Sequence, residues 1–222
     1  MPSVYLETTI ASYLAASPSR DLVMAAHQQI THDWWRTARD RFDLYVSEAV
    51  LSEIRRGDAD AAARRLELTA DLPVLAFSED VEWLIRAYDR RLGLVGSASA
   101  DLPHFAYAVS YNMDYLVTWN CAHIANGQVI RRLLAVNGEI DRPTPVIVTP
   151  RRTLDDVSGR CSMIDDPIVR EIHETRRRML EECDGDVGKL IARLKAAEVE
   201  DKDRLVTMDE VRKRAGRRKA RI

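Results

Sequence analysis

Four side chains far apart in the chain are of the type that hard-cation chemistry needs: Glu7, Glu53, Asp101 and Asn120. Glu7 stands in VYLETTIASYL, where an apolar run ends and two threonines follow. Alone it carries no signal, because the ends of strands face water and accept any polar residue. Glu53 lies in SEAVLSEIRRGD, a helical stretch entered just after a second apolar run, and Asn120 follows a third in MDYLVTWNCAHIAN. Asp101 opens ASADLPHFAYAVSYN, the helix leading into that third run. In an open α/β sheet, ligand sites gather beyond the carboxyl ends of the strands. Carboxylates collected there repel one another unless a cation sits among them. Mg²⁺ or Mn²⁺ suits such a place, because hard divalent ions prefer oxygen donors.

The elements that must bring these residues together are visible in the hydrophobic pattern. SVYL, FDLYVS, MDYLVTW and TPVIVTP read as strands, and LPVLAF as a further extended segment. Helical spacing fills 20–39, 48–70, 79–91, 99–111 and 126–138. Strands alternating with helices predict an α/β fold around a parallel sheet covered on both faces. Each candidate also has a plain structural role. Glu48 competes with Glu53 and suits a first-turn charge at a helix N-terminus. Asp101 suits a helix cap, with Ser97 and Ser99 as rivals, and Asn120 suits a turn. His27 and His32, five apart, are expected to pack rather than to ligate together. For His104 and His123, which flank the candidate site in sequence, a packed and hydrogen-bonded imidazole is the expectation, with substrate contact the alternative for either. Trp34 and Trp35 read as core or interface aromatics, and Cys121 lacks the company of a nucleophile.

The 222 residues carry a net charge of −2, which does not announce a nucleic-acid binder. The average hides an asymmetry: residues 163–222 are net +2 and residues 1–162 net −4. The final eleven residues, RKRAGRRKARI, hold seven basic side chains and no acidic one. Three cysteines without paired spacing suggest neither a disulfide framework nor a zinc site. The opening MPSVYLETTI has no basic start and no adequate apolar run, so a signal peptide is not expected. No segment approaches the ~20 apolar residues of a membrane span. A reducing cytoplasm, without membrane contact, is the expected location. Composition changes along the chain: every Trp, Tyr and Phe occurs at or before Trp119.

The blocks YLETTIASYL, YVSEAVLSEI, ASADLPHFAYAVSYNMDYLVTWNCAHIAN and PVIVTP resemble the successive blocks of PIN-domain proteins, and most of all the VapC-like toxins of bacterial toxin–antitoxin systems. The resemblance covers about residues 1–152. It implies a three-layer α/β/α sandwich around a parallel sheet and a metal-dependent endoribonuclease whose acidic residues hold one or two Mg²⁺ or Mn²⁺ ions. Carried over, the metal positions fall on Glu7, Glu53, Asp101 and Asn120. Glu7 and Asp101 would be direct ligands, with Glu53 holding metal-bound water or a second ion. Thr118 is the candidate to hydrogen-bond a ligand water or phosphate, and Thr8 to orient Glu7. This sequence has Glu7 where the family usually has Asp, and Asn120 where it often has a further Asp. The alternative is a catalytically decayed PIN-like module that binds RNA or protein. The resemblance also implies an RNA substrate and a homodimer.

Residues 153–162 read as a linker, and 163–222 as a helical, basic tail. DDPIVREIHETRRRMLEE places Pro167 in a first turn and Ile168, Ile172, Met179 and Leu180 on one face. GDVGKLIARLKAAE repeats the pattern with Val187, Leu190, Ile191 and Leu194. Residues 163–197 resemble a small antitoxin that accompanies such toxins, which implies an inhibitor acting in cis or from a second copy. A basic side chain of this tail is expected to enter the acidic pocket, with Arg204 and the 212–221 cluster as candidates. Operator DNA is the other partner that the basic end suits.

Overall fold

Ser3–Leu6 (β1) is a strand because Val4, Tyr5 and Leu6 are buried on both faces of a sheet, as a parallel interior strand must be. This computed structural model describes residues 1–94, 96–151 and 166–219, the side chains at 97 and 215–219 not being among them. From β1 the chain runs through α1 (Thr8–Ala15) and α2 (Leu22–Arg41) to β2 (Asp43–Ser47). It continues through α3 (Glu48–Ile54), α4 (Ala59–Thr69), β3 (Val74–Leu75) and α5 (Glu79–Arg91). A 3-10 segment (Gly96–Asp101) then leads into α6 (Leu102–Ser110), β4 (Tyr115–Val117), α7 (Gly127–Glu139) and β5 (Val146–Val148). The C-terminal part adds α8 (Pro167–Glu181), α9 (Val187–Ala197), a second 3-10 segment (Glu198–Arg204), β6 (Leu205–Val206) and α10 (Met208–Lys219).

Six strands form one sheet in the order β5-β4-β1-β2-β3-β6, and every pairing is parallel. The helices flank it, α1 packing on α2 and α4, and α5 on α6 and α7. The chain starts at the centre of the sheet, builds outward through β2 and β3, then returns to the other side of β1 with β4. That reversal opens a crevice at the carboxyl ends of β1 and β4, where ligand sites of such sheets form.

The helical stretch expected over 48–70 is two helices. The break falls at Gly57, whose φ of +88° favours glycine, and a Cβ there would meet Glu171 Oε1 at 3.0 Å. Asp166 caps α8 by accepting from the amides of Ile168 (2.9 Å) and Val169 (3.3 Å), with Pro167 behind it in the first turn. The buried face of α8 includes Ile168, Ile172, Met179 and Leu180, and that of α9 Val187, Leu190, Ile191 and Leu194, as their spacing predicts. These side chains join the same hydrophobic cluster as the sheet. β6 is not foreseen by the pattern: Leu205 and Val206 pair with Val74 and Leu75 and extend the sheet edge. Ala76 N donates to Val206 O at 3.0 Å, and Tyr111 Oη donates to both Ala76 O and Val206 O, closing the edge from above.

The expected linker at 153–162 lies outside the described residues. Cys121 is disulfide-bonded, which the spacing of three cysteines does not announce, and Cys183 is buried and free. Among the described residues no helix is long and apolar enough to cross a membrane.

Candidate metal centre

Glu7 is the N-cap of α1, and its two oxygens face different ways. Oε2 accepts from Thr9 N (3.0 Å), from Thr9 Oγ1 and from Thr118 Oγ1 (2.8 Å), so capping and orientation use one oxygen. Oε1 is left for the hollow. Glu53 arrives from α3, with Thr8 Oγ1 donating to its Oε2. Asp101 sits at the N-cap position of α6 without making the cap hydrogen bond, so its carboxylate is also directed elsewhere. Its Oδ2 lies 3.0 Å from His123 Nδ1. All three acids are buried.

They meet around one cation, Arg176 of α8, which is only 1 % exposed. Its Nε donates to Glu53 Oε1 at 2.8 Å, its Nη1 to Asp101 Oδ1 at 2.7 Å, and its Nη2 to Glu7 Oε1 and to Glu53 Oε2 at 2.9 Å. Burial pushes the Glu53 carboxyl up, but Arg176 and then His104 outweigh it and bring the pKa to about 2. Asp101 is likewise held low: burial opposes its charge, and Arg176 and His123 overcome that. Burial works against the Arg176 charge, yet Glu53, Glu7 and Asp101 hold it well above the usual arginine range. One guanidinium among three carboxylates leaves an excess of negative charge, so the hollow is built for positive charge, which Arg176 supplies here.

His104, one turn along α6 from Asp101, is buried within the cluster. Its Nε2 lies 3.0 Å from Glu53 Oε1 and 2.9 Å from Arg176 Nη2. Glu7, Glu53 and His104 each offer a ligand atom within 4.8 Å of the others. Asn120 stands one step back. Its Oδ1 accepts from His123 N (3.1 Å) and lies 3.0 Å from His173 Nε2, while its Nδ2 is 3.5 Å from Asp101 Oδ1. The rings of His123 and His173 stack at 4.3 Å, so the tail also covers the flank of the site.

The sequence-derived residues Glu7, Glu53 and Asp101 thus converge, with Thr118 behind Glu7 and Asn120 behind Asp101. Thr8 orients Glu53, and Thr9 orients Glu7, which reverses the expectation for Thr8. Glu48 stays outside: its Oε1 accepts from Ser52 Oγ (2.9 Å) and Arg55 Nη1 (2.8 Å), and its Oε2 is buried without a hydrogen-bond partner. The basic residue in the pocket is neither Arg204 nor a member of the 212–221 cluster. Arg204 instead donates to the carbonyls of Leu72 and Thr69 and to Asp201. Arg212, Lys213 and Arg214 are exposed. Arg176 had a signal of its own: it occupies the apolar stripe of α8, between Ile172 and Met179, where a cation needs a buried partner.

The donor set suits a hard divalent ion, and a cationic group already fills its centre. Residues 4–120 match the family model of the PIN domain. Comparison with curated proteins gives no match, and comparison with solved structures gives none either.

Proposed function

Because the chain belongs to the PIN-domain family, a family of nuclease domains, we propose that it is a Mg²⁺- or Mn²⁺-dependent endoribonuclease toxin of a type II toxin–antitoxin system, joined to an antitoxin-like segment that shuts it. The observation that carries this reading is the Arg176 guanidinium held by Glu7, Glu53 and Asp101. A side chain so placed excludes both metal and phosphodiester from the acids they would use.

In the open form, Glu7, Glu53 and Asp101 would hold the ion, with Asn120 standing behind Asp101. The chemistry such an ion would supply is acidification of an attacking water and neutralisation of charge on the phosphoryl oxygens. The chain's own part is positional. Thr9 and Thr118 fix the outer oxygen of Glu7, Thr8 fixes Glu53, and His123 fixes the far oxygen of Asp101. Thr118, spent on Glu7 in the closed form, is close enough to the acids to serve a ligand water after opening. Activation is withdrawal of α8 together with Arg176, His173 and the apolar face that seats them. In this arrangement the inhibitor acts from the same chain, and the exposed Arg212, Lys213 and Arg214 suit contact with RNA or operator DNA.

A cleavage assay on structured and unstructured RNA tests this. The full-length chain is expected to be nearly silent in Mg²⁺ or Mn²⁺, Arg176→Ala to cleave, and Arg176→Ala with Asp101→Asn to be silent again. A folded Arg176→Ala protein that cleaves no RNA in either metal overturns the reading. Growth arrest on expression of Arg176→Ala, relieved by Asp101→Asn, is the corresponding cellular result.

A further inference from the structure

We propose that His104 is a nitrogen ligand of the metal this pocket takes, and that it makes the site prefer Mn²⁺ to Mg²⁺. The inference rests on the reading of the pocket as a metal centre and adds the residue that sets its selectivity. The tightest donor trio in the hollow is Glu7, Glu53 and His104, two carboxylates and one imidazole, rather than three carboxylates.

Tyr5 Oη lies 2.9 Å from His104 Nδ1 and 2.7 Å from Ser47 Oγ, so the outer nitrogen is held by buried hydroxyls and Nε2 faces the hollow. In the closed form Nε2 lies 3.0 Å from Glu53 Oε1 and 2.9 Å from Arg176 Nη2, whose two hydrogens serve Glu7 Oε1 and Glu53 Oε2, so Nε2–H donates to Glu53. A hydroxyl both donates and accepts, so the relay can reverse: with Nδ1–H donating to Tyr5 and Tyr5 to Ser47, Nε2 presents a lone pair to an ion in place of Arg176. A metal-binding histidine is held in this way, the outer N–H fixed by a partner and the inner lone pair facing the ion. Because Tyr5 is on β1 and Ser47 ends β2, the ring is oriented from the sheet itself and keeps its aim when α8 leaves. Mg²⁺ takes oxygen and keeps its waters, whereas Mn²⁺ accepts a mixed nitrogen and oxygen set.

The test uses the full-length chain with Arg176→Ala, or with Arg176→Gln where the alanine variant does not fold, and Mn²⁺ as the probe. Pulsed electron paramagnetic resonance is expected to detect a directly bound imidazole nitrogen on Mn²⁺. Competition titration is expected to give Mn²⁺ an advantage over Mg²⁺ of about tenfold or more. Adding His104→Gln abolishes the nitrogen signal and erases that advantage. Adding Tyr5→Phe, which keeps the ring in the core, weakens Mn²⁺ by roughly 10-fold and leaves Mg²⁺ unchanged. Mn²⁺ bound with oxygen signals alone overturns the role of His104 and leaves the metal centre standing. A folded variant that binds no Mn²⁺ overturns both.

Discussion

A buried arginine ringed by three acids is a counterion more than a stabiliser. Desolvation cancels much of the attraction within such a group, but removing one partner leaves charge buried and uncompensated. Arg176→Ala is therefore expected to cost about 3–5 kcal/mol in a chelator, and added Mn²⁺ or Mg²⁺ to restore part of it, since a ligand bound to the folded form alone stabilises it. Thermal melts with chelator and with each ion read this directly; a variant that melts identically in both would show that no ion takes Arg176's place. Two other carboxyls give opposite responses to pH. Glu53, held at about 2, contributes stability that is present above its unfolded value and is lost as pH falls through about 2. Glu48 is the reverse. Burial raises its pKa to about 7, because Ser52 and Arg55 do not offset the loss of water, and Arg55 is held chiefly by Asp201. Its contribution is complete below the ordinary carboxyl range and lost as pH rises through about 7. Glu48→Gln should flatten the stability profile across that window, by up to about 3 kcal/mol, and be at least as stable as the unchanged chain at pH 8. Denaturant melts at pH 5 and pH 8 measure the difference.

Among the elements, α9 and β6 transmit packing from the tail to the sheet. Leu194 is buried on α9, and α9 leads through the second 3-10 segment directly to Leu205 and Val206. Leu194→Ala is expected to cost about 2–5 kcal/mol and to remove protection from the Ala76 amide, whose acceptor is Val206 O. Native-state hydrogen exchange at Ala76 checks the coupling, and unchanged protection in the variant would break it. The same elements separate what the sequence made legible from what it hid. β1 to β5 were readable because each is an apolar run bordered by polar or proline residues, and the acids were readable because they recur at strand ends. β6 was not: two residues after a charged run carry no periodic signal, and only the open edge of β3 makes them a strand. The break at Gly57 was hidden in continuous helical spacing, since one glycine inside such a pattern does not disclose a positive φ. Arg176 was concealed differently. Attention follows runs of charge, and the seven cations at the end outnumber one arginine, but burial follows the helix face, on which Arg176 alone among its basic neighbours lies. That Thr9 rather than Thr8 orients Glu7 depends on side-chain direction at a helix start, which sequence order does not encode.

At the scale of the whole molecule, the proposed inhibitor and the nuclease body are one chain, so on that reading closure is an intramolecular equilibrium. Its seat is extensive: Arg176 in the hollow, the apolar faces of α8 and α9, β6 on the sheet edge, and ion pairs such as Arg56 with Glu182 and Arg55 with Asp201. The exposed pairs add little each, and the buried apolar faces carry the affinity. Covalent connection presents the segment at an effective concentration of roughly millimolar, so on this reading the uncut chain is closed at any dilution. Cleavage at a protease site placed within 153–162 makes the same contact bimolecular without altering a single described residue. Specific RNase activity of the uncut chain is then expected to be constant across dilution. That of the cut chain should match it when concentrated and rise as dilution passes the dissociation constant, with a lag set by departure of α8. An inhibitor supplied by a second copy would instead make the uncut chain depend on dilution. Cut halves that separate on a sizing column while the nuclease half, still folded, binds Mn²⁺ and spares RNA would remove self-inhibition as the reason for the closed pocket.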